Sequence, residues 1–482
     1  MSRPTTPSQP RLLLVTAAVA LAGCSVGPDY ERPELDQPTG YRSIEDDLVS
    51  SADPNWEGLD ITNIVRDPDL LNLVQEALRN NEDLQIAATR ILQAEAAARI
   101  VGSQHYPSLG IGGSWSAVRA SELGPTPRPS GSDPEFDYTT LSLSVPAYEV
   151  DLWGRIRRAN EAARARLLAT EAARQVVRQT IVTQVMILYL DLIRLDRELE
   201  ITRRAMGNWK DSLELTKSRE AGGVASMLDV YQAEVLVESA LANEVDVQRR
   251  IAQAENELSF IVGRNPGPIS RKETSYDTLD TMATNVGLPS SILLRRPDIL
   301  AAEQRLIAAN ADIGEVRAAY FPNISLTGSF GFQSLELEDL LESPARLWQF
   351  VPSINLPIFT GGRRGAESDL AQARYEEAVI NYRQTVRNAF REVSDALIAY
   401  HNYSRFRQIQ ERQAQSWRSA TELSNARYDG GVSSYFEVLY NEQEFFASRL
   451  ATILAARNEN VALVQLYRAL GGGVEPGFSL GD

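Results

Sequence analysis

Two periods of hydrophobicity take turns along this chain. Leu109, Ile111, Trp115 and Ala117 alternate with Ser108, Gly110, Gly112, Ser114 and Ser116, the period-2 pattern of a strand with one apolar face. A second strand sets Leu141, Leu143 and Val145 against Ser142 and Ser144, which makes a hairpin over 107–147. A second hairpin is predicted over 321–359. There Ile324, Leu326, Phe330 and Phe332, then Trp348, Phe350, Ile354, Leu356 and Ile358, alternate with Asn323, Ser325, Thr327, Ser329, Gln333, Gln349, Ser353 and Asn355. After each hairpin the period becomes helical. Between Gly154 and Gly222 there is no proline, and Val177, Ile181, Val185, Leu188, Leu192, Leu195 and Leu199 recur at steps of three and four, the seam of a coiled coil. At ~1.5 Å per residue this helix reaches ~100 Å, and Gly362 to Gly430 predicts another like it.

The second hairpin and helix belong to a repeat. At a constant offset of 208 positions Arg155 recurs as Arg363, Ala165 as Ala373, Leu215 as Leu423, Arg219 as Arg427, Glu234 as Glu442, Leu258 as Leu466 and Gly263 as Gly471. Gly222-Gly223-Val224 recurs as Gly430-Gly431-Val432. The paired glycines supply the backbone freedom of a tight reversal, and return helices are expected from Ser226 to Val262 and from Ser434 to Leu470. Shorter helical periodicity runs from about Asp69 to Gln104, interrupted at Asn80-Asn81, and from Ile299 to Ala319. The chain therefore divides into a leader (24–65), a first repeat (66–263), an irregular segment (264–289) expected to belt the helices midway, a second repeat (290–471) and a tail (472–482). Such internal duplication is the mark of tubes and solenoids more than of enzymes.

Alternating strands of about ten residues fit a soluble sheet with one buried face and equally the wall of an outer-membrane barrel. Four strands close no membrane barrel, since the smallest use about eight. Two chains would supply eight strands and three would supply twelve, so a barrel requires copies of the chain.

The N-terminus favours the membrane. Residues 1–23 carry Arg3 and Arg11, then an apolar run from Leu12 to Ala22 too short to span a bilayer, the anatomy of a secretory signal. It ends Leu21-Ala22-Gly23-Cys24, which resembles a lipobox; Cys24 would then carry a covalent diacylglycerol and an N-acyl chain. Cys24 is the one cysteine in the chain, so no internal disulfide forms. Ser25 follows it, where an Asp would suggest retention in the inner membrane. Net charge is −16 and becomes more negative when Arg3 and Arg11 leave, which excludes a nucleic-acid partner. Later in the chain no run of 18 apolar residues occurs, so strands must make any crossing.

Four further segments carry a resemblance. Gly287-Leu288-Pro289-Ser290 leads to Leu294-Arg295-Arg296-Pro297-Asp298-Ile299 and Ala301-Ala302-Glu303-Gln304. Tyr148-Glu149-Val150-Asp151-Leu152-Trp153-Gly154-Arg155 and Ala319-Tyr320-Phe321-Pro322-Asn323 flank the hairpins, and Arg427-Tyr428-Asp429-Gly430-Gly431-Val432 spans the second turn. Together they resemble the TolC-type outer membrane factors, in particular their lipoprotein (NodT-like) branch, over essentially the whole mature chain. The resemblance implies an α+β membrane protein: a homotrimer with a 12-stranded outer-membrane β-barrel, four strands per chain, continued by a periplasmic α-helical barrel. It implies the exit duct of a tripartite efflux system, docked on a periplasmic adaptor and an inner-membrane transporter of the RND type. A type I secretion duct and a non-conducting lipoprotein bridging the envelope are the alternatives.

A duct needs residues that narrow it, charge it or dock partners. The resemblance places a periplasmic gate at Tyr428 and at the acids after the two turns, Asp229 and Glu437, of which three copies would form cation-attracting rings. Favourable helix-start carboxylates are the alternative for both. Phe436 stands where the lipoprotein branch places an apolar constriction and Tyr440 where it places an acid, a departure that speaks against a charge-based lock at that level; Ser433 stands where some members keep a gate arginine. Gly222, Gly223, Val224, Gly430, Gly431 and Val432 form the tips expected to face the adaptor, and Arg219 and Arg427 are candidates for ion pairs there. An enzyme is not expected: His105 and His401 are the only histidines, no His/Cys metal spacing occurs, and Thr360-Gly361-Gly362-Arg363-Arg364 lacks the Lys-Ser/Thr of a phosphate loop.

Overall fold

The computed structural model describes residues 25–35, 61, 64–121, 133–271, 279 and 295–474. Cys24, most of the leader, Gly287 to Leu294 and the greater part of the expected belt lie outside them. In chain order the elements are α1 (Pro68–Asn80), α2 (Glu82–Gly102), β1 (Gly110–Arg119), β2 (Glu135–Glu149), α3 (Arg155–Ala221), α4 (Met227–Val262), α5 (Pro297–Ala318), β3 (Asn323–Ser334), β4 (Arg346–Asn355), α6 (Arg363–Asp429) and α7 (Tyr435–Ala469). The two long helices have 67 residues each, ~100 Å at the usual rise. The described residues fall into two compact units. One is built from 25–33, 92–121, 133–168 and 303–381; the other from 34–35, 61, 64–91, 169–271, 279, 295–302 and 382–474.

The first unit holds a four-stranded antiparallel sheet in the order β1-β2-β3-β4, so both outer strands have an open edge. Pro146 cannot donate to a ladder, and the register of β2 on β3 shifts between Val145 and Tyr148, a bulge that accommodates it. The strand-to-helix joint explains why two of the segments that carry the resemblance look as they do. Asp151 accepts from the backbone N–H of Ile156 and Arg157 at 3.1 and 2.9 Å, which caps α3. Glu149 takes Arg155 in a two-pronged pair, both bonds 2.8 Å. Trp153 stacks on Phe321 with ring centroids 4.8 Å apart and donates to the Pro322 carbonyl at 2.8 Å. In the same unit α3 and α5 pack through alanines, Ala162, Ala165, Ala308 and Ala311. The start of the described chain lies against these helices: Arg32 forks onto buried Glu303 at 2.6 and 2.8 Å, and Arg158 reaches Asp29 at 2.8 Å.

The second unit has the larger core. Ile181, Val185, Leu192 and Leu195 of the expected seam are buried, but so are Met186, Tyr189, Leu190 and Ile193. The apolar middle of α3 is thus enclosed on several sides, with side chains of α1, α4 and α7 in the same cluster. Tyr189 donates to Asp67 at 2.6 Å, both buried. Arg296, of the Arg-Arg-Pro-Asp segment, is a buried hub that joins Asp298, Glu392 of α6 and the Ala469 carbonyl that ends α7, at 2.7, 2.6 and 3.0 Å.

Candidate duct wall and periplasmic tip

Register turns four alternating sequences into one surface. Ile111 lies opposite Leu143, Leu143 opposite Phe330 and Phe330 opposite Trp348, so each apolar set falls on the same face. That face is bare: Ile111 is 77% exposed, Leu143 43%, Phe330 54% and Trp348 77%. Trp115 is there too, its indole N–H donating to Asp137 at 2.9 Å, an amphipathic ring with a polar tether of the kind found at membrane interfaces. The opposite face is small and polar, with Gly110, Ser144, Ser329 and Gln349 in one row and Ser325 bonded to Ser353 at 2.7 Å. Phe136, Tyr138, Val118, Leu347 and Val351 interrupt this polar face, a departure that the strand patterns alone did not announce.

An apolar sheet face of this extent, without a cover among the described residues, faces hydrocarbon or another protein surface. Its two unpaired edges cannot remain open in lipid.

The second unit contains both turns. Gly223 and Gly431 adopt φ of 74° and 72°, where a side chain is strained. Backbone N–H groups of Val224 and Val432 close back on Arg219 and Arg427 at 2.9 and 3.0 Å, and both valine side chains stand exposed. Beyond this the turns differ. After the first, Asp229 and Ser226 form a reciprocal capping box, with Asp229 accepting from the Ser226 N–H at 2.9 Å. After the second, Ser434 makes no side-chain cap, and Glu437 pairs instead with Arg427 at 3.4 Å.

Tyr428 is brought into a cluster. Arg219 lies over its ring, 4.5 Å from the centroid, and also meets Asp429 at 3.7 Å. Tyr435, 5.3 Å away by ring centroids, shares a hydrogen bond with Ser212 at 2.8 Å. Phe436 is exposed, and Tyr440 packs edge-on against Trp417 at 6.0 Å. Asp229 and Glu437 belong to different turns and each is engaged locally.

The sequence reading missed Glu442. It lines a cavity of about 250 Å³ among α3, α6 and α7, with Trp209, Asn425, Phe446 and Arg449. Burial pushes its carboxyl above the ordinary value, opposed by hydrogen bonds from Asn425 and Trp209; its Oε2 is buried and without a hydrogen-bond partner. The repeat partner, Glu234, lies near Lys217 at 4.0 Å and is 45% exposed. The two glutamates were visible as a repeated pair, but their opposite environments follow from packing alone.

An open-edged sheet that is apolar on one side, attached to helices of ~100 Å, defines a segment of a membrane duct. The sequence profile of the outer membrane efflux protein family matches residues 73–264 and 288–472, one match on each repeat, and the chain belongs to that family. It is an outer-membrane channel component of an efflux system. Over 96% of its length it is 35% identical to the cation efflux system protein CusC of Escherichia coli K12, covering 99% of that protein. It is 36% identical to outer membrane protein OprJ of Pseudomonas aeruginosa, with 96% of each chain covered. To the toluene efflux pump outer membrane protein TtgF of Pseudomonas putida it is 35% identical, again with 96% of each covered. The solved structure of CusC superposes with a TM-score of 0.83 at 32% identity, over 93% of this chain and all of that one. The open state of the Neisseria gonorrhoeae MtrE outer membrane channel gives 0.83 at 29%, over 94% and 99%.

Proposed function

We propose that three copies of this chain close a 12-stranded barrel in the outer membrane, tethered by acyl chains on Cys24, and that their long helices continue it as a periplasmic duct. The tube is the exit of a tripartite pump, with a periplasmic adaptor at the Gly-Gly-Val tips and an inner-membrane transporter of the RND type behind it. The observation that carries this reading is the bare row Ile111–Leu143–Phe330–Trp348 on a sheet with two open edges. A soluble protein would cover such a row, whereas a barrel wall must present it to lipid. An even number of antiparallel strands also lets β4 meet β1 of the next copy with the correct, opposite sense. Relatives named for cations and for toluene are equally identical to this chain, at 35%, which argues that cargo choice resides in the transporter.

Asp229 and Glu437 give the tip its acidic rings, while Tyr428, Phe436 and Tyr440 narrow it. The test is native mass spectrometry of the detergent-purified protein followed by single-channel recording in a planar bilayer. Three-chain particles with cation-selective steps are expected. The Asp229→Asn/Glu437→Gln variant, which removes charge but keeps hydrogen-bonding capacity, should lower the cation-to-anion permeability ratio at least twofold. Single-chain particles would refute the barrel, and unchanged selectivity would refute the rings.

A further inference from the structure

Strand gives way to long helix twice in the first unit, and at the second joint the side chains in the equivalent places are bare among the described residues. In the first repeat the strand-to-helix joint folds back on the sheet: the Val150 N–H donates to the Ile324 carbonyl at 2.8 Å and Asp151 caps α3. The corresponding positions of the second repeat, at the same constant offset, are Ile358 and Phe359. Their side chains are 94% and 90% exposed, and Leu356 beside them is exposed as well. This bare patch lies just past the end of β4. A second bare patch, Tyr106 and Leu109, lies just before β1, at the other edge of the sheet.

Antiparallel closure brings these patches together. β1 and β4 are both 10 residues long, and the one register that pairs them end to end sets Gly110 opposite Asn355 and Arg119 opposite Arg346 of the next copy. That register keeps the faces consistent, because Ile111 meets Ile354, Trp115 meets Phe350 and Ala117 meets Trp348, all on the apolar side. Barrel geometry gives the same answer by another route. Twelve strands ~4.8 Å apart, tilted by ~45°, need a stagger of about 18 residues at ~3.3 Å, or about six per copy. Followed along its row one copy round, Ile111 reaches Trp348 and then, in the end-to-end register, Ala117, six residues further along β1. Counted outward from the paired ends, Leu356 comes level with Leu109, and Phe359 with Tyr106.

We infer that Leu356, Ile358 and Phe359 of one copy form an apolar clasp on Tyr106 and Leu109 of the next, below the last ladder bond, which fixes the closing register. The partner is a second copy of this chain, and the inference rests on the trimeric reading above. In this role the clasp excludes water from the seam where the ladder gives way to helix, and it makes a register slip by two residues expose Phe359 again.

The experiment is disulfide trapping in the intact lipoprotein with Tyr106→Cys/Phe359→Cys, and with Leu109→Cys/Leu356→Cys as a second pair, oxidised in membranes. Within one chain each pair spans the whole sheet, so only a contact between copies yields covalent dimers and trimers on a denaturing gel. Both pairs should give that ladder. Arg119→Cys/Phe359→Cys, placed at opposite ends of the strands, should give at least tenfold less. If native mass spectrometry finds three-chain particles and both pairs remain monomeric after oxidation, the clasp is overturned while the trimer stands, and Phe359 faces lipid. If the particles hold a single chain, the trimeric reading fails first and the clasp with it.

Discussion

Replacing Arg296 with Met should loosen the end of α7 without disturbing the sheet. The guanidinium is enclosed, its side chain 7% exposed. Burial alone would lower its pKa, yet hydrogen bonds with Asp298 and Glu392 outweigh that and hold it above the ordinary value. Methionine fills similar volume but takes the guanidinium donor away from three acceptors: the Asp298 carboxylate, which keeps only the Ile299 N–H, the Glu392 carboxylate and the Ala469 carbonyl. Loss of a bond to a charged group costs about 1.5–3 kcal/mol, but Asp298 and Glu392 are 32% and 34% exposed, so water recovers part of it. About 1 kcal/mol for each of the three acceptors gives about 3 kcal/mol in total. A change of that size speeds local opening by about 150-fold. Amide hydrogen exchange over 461–470, read by mass spectrometry on the folded variant, measures it directly. Arg296→Lys should fall between, since one ammonium cannot bridge a fork and a carbonyl at once. Exchange within about threefold of the parent in Arg296→Met would show that the hub is not what anchors α7.

Two further outcomes follow from particular contacts. A Cβ on Gly331 would lie 2.6 Å from the Ser142 Cα and closer still to the Leu141 carbonyl oxygen, both backbone atoms of the neighbouring strand. Gly331→Ala should therefore cost about 1–3 kcal/mol through forced strand separation, seen as a lower temperature at which oligomers dissociate on semi-native gels; an unshifted temperature would refute it. For Glu442, burial raises the folded-state value above the ordinary 4.5, so the folded protein holds this proton more tightly than the unfolded chain. Stability from this group thus increases as pH falls through the raised value and is complete below about pH 4.5. Glu442→Gln, always neutral, should be more stable than the parent by about 1–3 kcal/mol at pH 8, and the gap should close on acidification. A gap in thermal inactivation that is constant with pH would contradict the assignment.

The long helices and the turns were legible because their causes are local. Glycines bound α3 and α6 within one residue, and Ser226 with Asp229 is a capping pair three residues apart. Strand alternation was equally plain. The resemblance, too, was carried by residues whose work is structural: Trp153, Arg155, Arg296 and Glu303 hold joints and hubs, and their partners lie as far away as Arg32. The partner of a long side chain depends on which helix stands beside it, which no local period encodes.

Sequence by itself determined the duplicated order of hairpin, long helix, glycine turn and return helix, along with the acidic balance and the short apolar leader. These follow from backbone preference and from the spacing of apolar side chains, both of which act over a few residues. Tertiary structure alone decided that the apolar sets of four strands share one uncovered face, since that depends on register between segments up to two hundred residues apart. It also decided that two repeat-related glutamates, Glu234 and Glu442, meet opposite environments. Duplicated sequence gives equal propensities, but when one helix pair packs against the other the two cannot both keep the same neighbours.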